Sequence, residues 1–312
     1  MAIQLGIVVP CYNEEAVLPE ISRRLLDLLS HLWQAGLVTA DSALYFVDDG
    51  SKDHTWRIIE SLATAGTRVH GIKLSRNRGH QNALLAGLFG AKGDAVVTVD
   101  ADLQDDIAVI EDMIHRFSEG CEIVYGVRKS RSADTVFKRS SAGMYYKFLA
   151  WMGVDIVYNH ADFRLMGRRA IDCLQQYSEV NLFLRGIIPL LGFPTATVYY
   201  DRSERFAGVS KYPLRRMLAL AIDGITSFSV MPLRFIAVLG LLVCLLSIAM
   251  IGWALYLRLF TNAAIPGWAS SVLPIYFLGG IQLLSIGVLG EYIAKIYLET
   301  KHRPRYFIEK VI

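Results

Sequence analysis

The sequence Asp100-Ala101-Asp102, with Gln104 two residues further on, carries the clearest chemistry in the chain. It follows an apolar run at Ala95–Val99, so it sits where a buried strand would end. If the extended conformation continued, positions 100, 102 and 104 would share one face. Two carboxylates and an amide oxygen make a hard oxygen site suited to Mg²⁺ or Mn²⁺, ions that keep waters and accept substrate phosphate oxygens. The same pattern also serves as a plain surface turn whose Asp caps a helix. Asp48-Asp49-Gly50-Ser51 and Pro10-Cys11-Tyr12-Asn13-Glu14 follow two other apolar runs. Three polar loops at one sheet edge suit a nucleoside diphosphate, with a carboxylate and an amide for the base and a metal for the pyrophosphate.

The elements that must position these loops are legible from the apolar runs Leu5–Val9, Leu44–Val47, Val69–Leu74, Ala95–Val99 and Glu122–Val127. Helical patterns near 15–35, 53–65, 80–91 and 106–118 alternate with them, which predicts an α/β domain with a mainly parallel sheet. In such sheets ligands bind beyond the carboxyl ends of the strands. No GxGxxG follows the first run and no GxxxxGK[ST] occurs, so the usual dinucleotide and P-loop readings lose their support. The four cysteines, at 11, 121, 173 and 244, form no CxxC pair and read as reduced structural thiols. Further on, the spacing predicts amphipathic helices near 137–152 and 214–225. The second precedes a long apolar run and reads as an interfacial helix with Arg215 and Arg216 at the headgroups.

The chain has 312 residues, 53% hydrophobic and 20% charged, with a mean hydropathy of +0.36. A net charge of +3 is too small to imply nucleic acid. Its distribution says more, because residues 1–230 sum to −1 and residues 231–312 to +4. Phe235–Leu257 is free of charge over 23 residues, and Leu259–Gly290 over 32. A helix of the shorter run reaches about 35 Å, enough for a hydrocarbon core of about 30 Å. The short break at Thr261–Ser271 makes the two spans a hairpin. Lys301, Arg303 and Arg305 beyond the second span place both ends in the cytoplasm. The N-terminus lacks the basic stretch of a signal peptide, so the first 230 residues are expected in the cytoplasm too.

At this point the chain resembles the family 2 glycosyltransferases of the GT-A fold, in particular the polyprenyl-phosphate glycosyltransferases. These include dolichyl-phosphate mannose synthases and bacterial undecaprenyl-phosphate glucosyltransferases of O-antigen modification. The residues that carry the resemblance are VVPCYNEE (8–15), VDDGSKD (47–53), LSRNRGHQNALLAGL (74–88), VDADLQD (99–105), ADFRLM (161–166), RFAGVSKY (205–212) and LGEYIAKIYLETKHRPRY (289–306). The resemblance implies that Pro10, Tyr12, Asn13, Glu14, Asp49 and Asp100 surround the nucleotide, while Asp100, Asp102 and Gln104 hold Mg²⁺ or Mn²⁺. It implies that Arg128 and Arg131 receive the lipid phosphate, with Lys211 and Arg205 on a loop covering the donor. Asp162 matches the position assigned as the catalytic aspartate, with Asp102 and Arg128 beside it in the reaction. Ala161 departs from the glycine that many relatives carry before that Asp.

The expected organisation is a GT-A nucleotide-sugar-binding catalytic domain over 1–210 and an amphipathic juxtamembrane segment over 211–232. Two transmembrane helices over 233–300 (about 233–258 and 270–295) and a basic cytoplasmic tail over 301–312 complete it. The expected activity is inverting transfer of a hexose from a nucleotide sugar, foremost UDP-glucose, to undecaprenyl phosphate at the cytoplasmic membrane face. UDP-N-acetylglucosamine and GDP-mannose are the alternative donors, and a non-catalytic nucleotide-sugar-binding scaffold the alternative class. A processive polysaccharide synthase is disfavoured by the missing QxxRW motif, and a flippase by having two spans. The expected partners are donor, lipid and membrane, a second copy of the chain (a tetramer in relatives), and a separate flippase. Because a phosphate monoester is already ionised at neutral pH, Asp162 is expected to orient substrate rather than act as an obligatory base.

Overall fold

The computed structural model describes residues 2–66, 68–129, 160–179, 184–201, 231–260 and 268–312. Five strands fall where the apolar runs predict them: β1 (Leu5–Cys11), β2 (Ala43–Asp48), β3 (Val69–Leu74), β4 (Ala95–Thr98) and β5 (Ile123–Arg128). Between them run α1 (Leu18–Gln34), α2 (Thr55–Ala65), α3 (His80–Gly90) and α4 (Ile110–Ser118), the last entered through a 3₁₀ turn at Ile107–Val109. Then come β6 (His160–Gly167), α5 (Arg168–Gln175), α6 (Leu184–Leu190) and β7 (Thr195–Tyr200). The amphipathic helices expected near 137–152 and 214–225 lie outside the described residues.

With a final strand, β8 (Ile308–Val311), these form one sheet in the order β7-β5-β6-β4-β1-β2-β3-β8. β4, β1, β2 and β3 are mutually parallel, and β5 is parallel to β7. β6 runs antiparallel between β4 and β5. The inner strands are covered on both faces, which is why β1 and β2 are buried along their whole length and read as unbroken apolar runs. On one face, Leu18, Ile21, Leu25, Leu29 and Leu32 recur at helical spacing on α1 and are all buried. Each such side chain contributes about 1.5–3 kcal/mol by leaving water. On the other face α3, α5 and α6 bring Leu84, Leu88, Ile171, Leu174 and Ile187 into a second core.

Two long helices follow, α7 (Met231–Phe260) and α8 (Trp268–Thr300), and they contact each other. The expected two-helix transmembrane hairpin is met only in part. Among the described residues one segment, Phe277–Thr300 within α8, is long and apolar enough to cross a membrane. Both helices nevertheless present large apolar side chains outward, among them Leu242, Leu246, Phe277 and Leu284.

The segment expected as a basic tail has a different fate. Ile308–Val311 joins the sheet antiparallel to β3, and Gly71 and Ile312 exchange backbone hydrogen bonds just beyond. Lys310 pairs with Glu60 and Glu309 with Lys73, both at 2.7 Å. Arg305 donates to the backbone carbonyls of Tyr177 and Glu179. A strand of four residues is too short to announce itself in a sequence, and here the exposed edge of β3 supplies its partner.

Candidate functional site

The parallel pairing puts the carboxyl ends of β1, β2, β3, β4, β5 and β7 on one edge. Because β6 runs the other way, its beginning reaches that same edge. The β4–β6 register pairs Thr98 with Arg164, so Asp162 lies level with Asp100, just past the end of β4. The Thr98 hydroxyl donates to the Asp162 carbonyl and fixes that level.

Three side chains converge on the Asp162 carboxylate. Arg164, two residues along the same strand face, donates to Oδ1 at 2.5 Å. Arg185, from the first turn of α6, donates through Nε to Oδ1 at 3.3 Å and through Nη2 to Oδ2 at 3.2 Å. His80, the first residue of α3, places Nε2 3.5 Å from Asp162 Oδ2 and 3.5 Å from Asp100 Oδ1. Asp100 completes the group through that shared imidazole. Desolvation alone would raise the Asp162 carboxyl, but His80, Arg164 and Arg185 hold it well below the usual carboxylate range. For Asp100 desolvation wins, opposed by His80 and helped by Asp105, Asp162 and Asp102, and its carboxyl is pushed up to about 6. Burial pulls the His80 imidazole down, yet the two carboxylates beside it leave it raised. The edge therefore gathers more negative charge than its own cations cancel at Asp100.

The chain does not stay extended beyond β4. The strand stops at Thr98, Leu103 adopts φ +57°, and Asp102 Oδ1 accepts the Gln104 backbone N–H at 3.2 Å. This side-chain turn breaks the alternation expected to align residues 100, 102 and 104, and Gln104 is buried. Asp105 is turned inward, where it accepts from the Tyr200 hydroxyl at 2.5 Å and from Arg128 at 3.4 Å. Arg128 also donates to the Tyr200 oxygen at 3.2 Å, so the end of β5 is braced against the end of β7.

The two nucleotide-type loops are knitted together. Asn13, at φ +56°, donates its backbone N–H to Ser51 Oγ and accepts the Lys52 N–H on its side-chain oxygen, while the Glu14 N–H donates to Thr55 Oγ1. Pro10 lies within β1, and Tyr12 stands out at 42% exposure. Asp49 is buried and accepts the backbone N–H of Arg78 at 2.7 Å and of Gly79 at 2.9 Å. It thereby clamps the loop that delivers His80. Gly50 lets that loop approach: at φ +70°, a Cβ there would stand 2.6 Å from the backbone of Arg76 and Asn77.

Of the residues singled out in the sequence, Asp100, Asp102, Asp162 and Arg128 come together at the edge, with Tyr12, Asn13, Glu14 and Asp49 on the neighbouring loops. Arg131, Arg205 and Lys211 lie outside the described residues. Sequence reasoning missed His80, Arg164, Arg185, Asp105 and Tyr200 as site residues. Arg164 had a usable sign, the Asp-x-Arg alternation on a strand. His80 had none, because its place depends on the Asp49 clamp.

Among the described residues no group of three or more His, Cys, Asp or Glu side chains is arranged to hold a metal. A cation that keeps waters and takes phosphate oxygens needs only a carboxylate or two. Asp100 and Asp102 fit that role, the crowding at Asp100 being what a cation would relieve.

Residues 6–175 match the Glycosyl transferase family 2. The protein named uncharacterized glycosyltransferase YkoT from Bacillus subtilis (strain 168) is 51% identical over 307 residues, covering 98% of this chain and 91% of that one. The bactoprenol glucosyl transferase of Shigella phage SfV is 39% identical, covering 98% of each. A prophage bactoprenol glucosyl transferase homolog of Escherichia coli (strain K12) is 38% identical over 99% of each. A glucosyl-3-phosphoglycerate synthase structure from Mycobacterium tuberculosis is 21% identical with a TM-score of 0.45, covering 72% of this chain and 76% of that one, too distant to bear on the reading. The mostly parallel α/β sheet, the acidic strand ends and these end-to-end relatives agree: the chain belongs to glycosyl transferase family 2 and is a glycosyltransferase.

Proposed function

We propose that the chain transfers glucose from UDP-glucose to undecaprenyl phosphate at the cytoplasmic membrane face, with inversion and with a divalent cation. The observation that carries this reading is the gathering of Asp100, Asp102 and Asp162 with Arg128 and Arg185 at one sheet edge. The relatives named for bactoprenol glucosylation, similar from end to end, supply the lipid and the sugar.

The chemistry follows from charge. An acceptor phosphate monoester loses its second proton near pH 6 and is a ready nucleophile at neutral pH. One of its oxygens bonds to the sugar C1 as the bond from C1 to the diphosphate oxygen breaks, and UDP leaves. Both partners are anions, so the site must offset their repulsion. A cation held by Asp100 and Asp102 would supply charge stabilisation on the departing diphosphate. Arg128, braced by Tyr200 and Asp105, faces the acceptor, with Arg131, Arg205 and Lys211 as further anion ligands. Tyr12, Asn13 and Glu14 line the base and ribose. Asp49 acts there through the loop that it clamps, and Gln104 through its buried turn. Asp162, held ionised by its cationic neighbours, takes no proton and orients the reacting groups.

In this reading α7 and α8 form the membrane hairpin. The Gly279-Gly280, Gly287 and Gly290 face of α8 has open space around it, which permits close packing with a second copy of the chain. A separate protein then moves the glycolipid across the membrane.

The test is a panel of UDP-glucose, UDP-N-acetylglucosamine and GDP-mannose against undecaprenyl phosphate, with Mg²⁺, with Mn²⁺ and with chelator. Product from UDP-glucose that vanishes on chelation supports the reading. Full activity under chelation sinks the metal assignment, and no product from any donor favours a binding scaffold.

A further inference from the structure

Arg128 ends β5 and Tyr200 ends β7, and the parallel register sets the two side by side. The Lys129 N–H donates to the Tyr200 carbonyl at 2.9 Å, so the strand ends are tied by backbone as well. Tyr200 is buried, and its ring meets that of Phe163 edge-on with centroids 5.4 Å apart. A ring enclosed in this way carries its hydroxyl to one fixed point. The three contacts made around that point are unequal. The hydroxyl donates to Asp105 Oδ1 at 2.5 Å, and Arg128 Nε donates to the Tyr200 oxygen at 3.2 Å. Arg128 Nη2 reaches Asp105 Oδ1 only at 3.4 Å, where a charge-assisted bond commonly lies at about 2.7–2.9 Å. Asp105 Oδ2 is buried and finds no partner among the described residues, so the carboxylate makes no bidentate pair with the guanidinium. Asp105 therefore holds the phenol tightly and the guanidinium loosely.

Arginine is long and has many rotamers, and here Asp100 and Asp102 lie on the same sheet edge. An unguided guanidinium would be drawn toward those carboxylates and away from the acceptor. A tight pair with Asp105 would prevent that but would hold the guanidinium against the incoming phosphate. A neutral hydroxyl orients it without cancelling its charge. We propose that Tyr200 is a positioning residue: its hydroxyl, anchored on Asp105, aims the Arg128 guanidinium at the acceptor phosphate. The ordering is complete before the lipid arrives, so less of the binding energy goes into fixing a side chain. The inference rests on the proposed transfer reaction, in which Arg128 faces the acceptor.

The experiment uses the full-length chain in detergent and measures binding by calorimetry for wild type, Tyr200→Phe, Arg128→Gln and the double variant. The probes are a ten-carbon isoprenyl phosphate, the corresponding isoprenol as uncharged control, and UDP with Mg²⁺. Tyr200→Phe is expected to weaken the isoprenyl phosphate by roughly two- to tenfold, the scale of one hydrogen bond, with isoprenol and UDP bound as before. Arg128→Gln weakens it by more, and adding Tyr200→Phe to Arg128→Gln changes nothing further, because the hydroxyl then has no guanidinium to aim. A merely structural role would repeat its factor in both backgrounds, and that additivity overturns the proposal. Unchanged affinity for the isoprenyl phosphate in Tyr200→Phe, or a loss directed at UDP or at isoprenol, overturns it too. Should Tyr200→Phe not fold by thermal melting, Asp105→Asn carries the same cycle, since the phenol then loses its charged anchor. An additive effect or none overturns the proposal there equally. Wild type that does not bind the isoprenyl phosphate overturns the transfer reading itself and this proposal with it, a result distinct from any difference among variants.

Discussion

Asp162 carries a charge that the fold has taken pains to keep, and its removal separates structural from chemical roles. Asp162→Ala leaves Arg164 buried without its counter-charge, which costs about 3–5 kcal/mol. Asp162→Asn keeps an acceptor for Arg164, so it loses less stability while turnover falls roughly a hundredfold. Calorimetric melting and initial rates separate the two. The pH dependence has a defined sign. A carboxyl held below its unfolded value of 3.8 stabilises the fold above that pH, and the contribution is lost as pH falls through the native value. Because Asp162 also raises His80, the gap between wild type and Asp162→Asn narrows as pH rises through the His80 range, while the part due to the Asp162 carboxyl itself is lost only in acid below about pH 4. A gap that instead narrows on acidification from about pH 8 to about pH 6 would show that Asp162 titrates there after all.

At the scale of elements, the loop between β3 and α3 is the piece on which the site turns. Asp49 holds it from the end of β2, Gly50 gives it room, and it ends on His80 between Asp100 and Asp162. Gly50→Ala meets a left-handed backbone cost of about 1–2 kcal/mol, and the close backbone of Arg76 and Asn77 adds to it. The expected outcome is a lower denaturant midpoint together with weaker UDP binding, since the displaced loop takes His80 with it. A stability loss with unchanged UDP affinity would separate the loop from the site. This loop also shows what the sequence could and could not disclose. β1 to β5 were legible because strands buried on both faces must be apolar, and the polar residues had to follow them. β6 was hidden, because HADFRLMG carries Asp162 and Arg164 into the interior as a pair that no hydrophobic pattern records. The residues after β4 misled, since the Asp102 side chain turns the chain that alternation would have kept straight. His80 and Arg185 reach the site through contacts remote in sequence, which no local spacing encodes.

For the molecule as a whole, the sheet is closed at one edge by the very end of the chain. Deleting residues 306–312 removes the partner of β3 and the ion pairs of Lys310 and Glu309. The expected result is a lower melting temperature and a raised KM for lipid acceptor with little change in donor affinity. Equal losses toward both substrates would assign β8 to general stability alone. The same strand also acts as a leash. Seven residues separate the end of α8 at Thr300 from the start of β8 at Ile308. Fully stretched, that tether spans at most about 28 Å. On the proposed membrane reading, the sheet then stays within that distance of the point where α8 leaves the bilayer. The lipid phosphate is met at high effective concentration through chain length rather than tight binding. The search for acceptor becomes lateral, across the plane of the membrane, and only the donor arrives from solution.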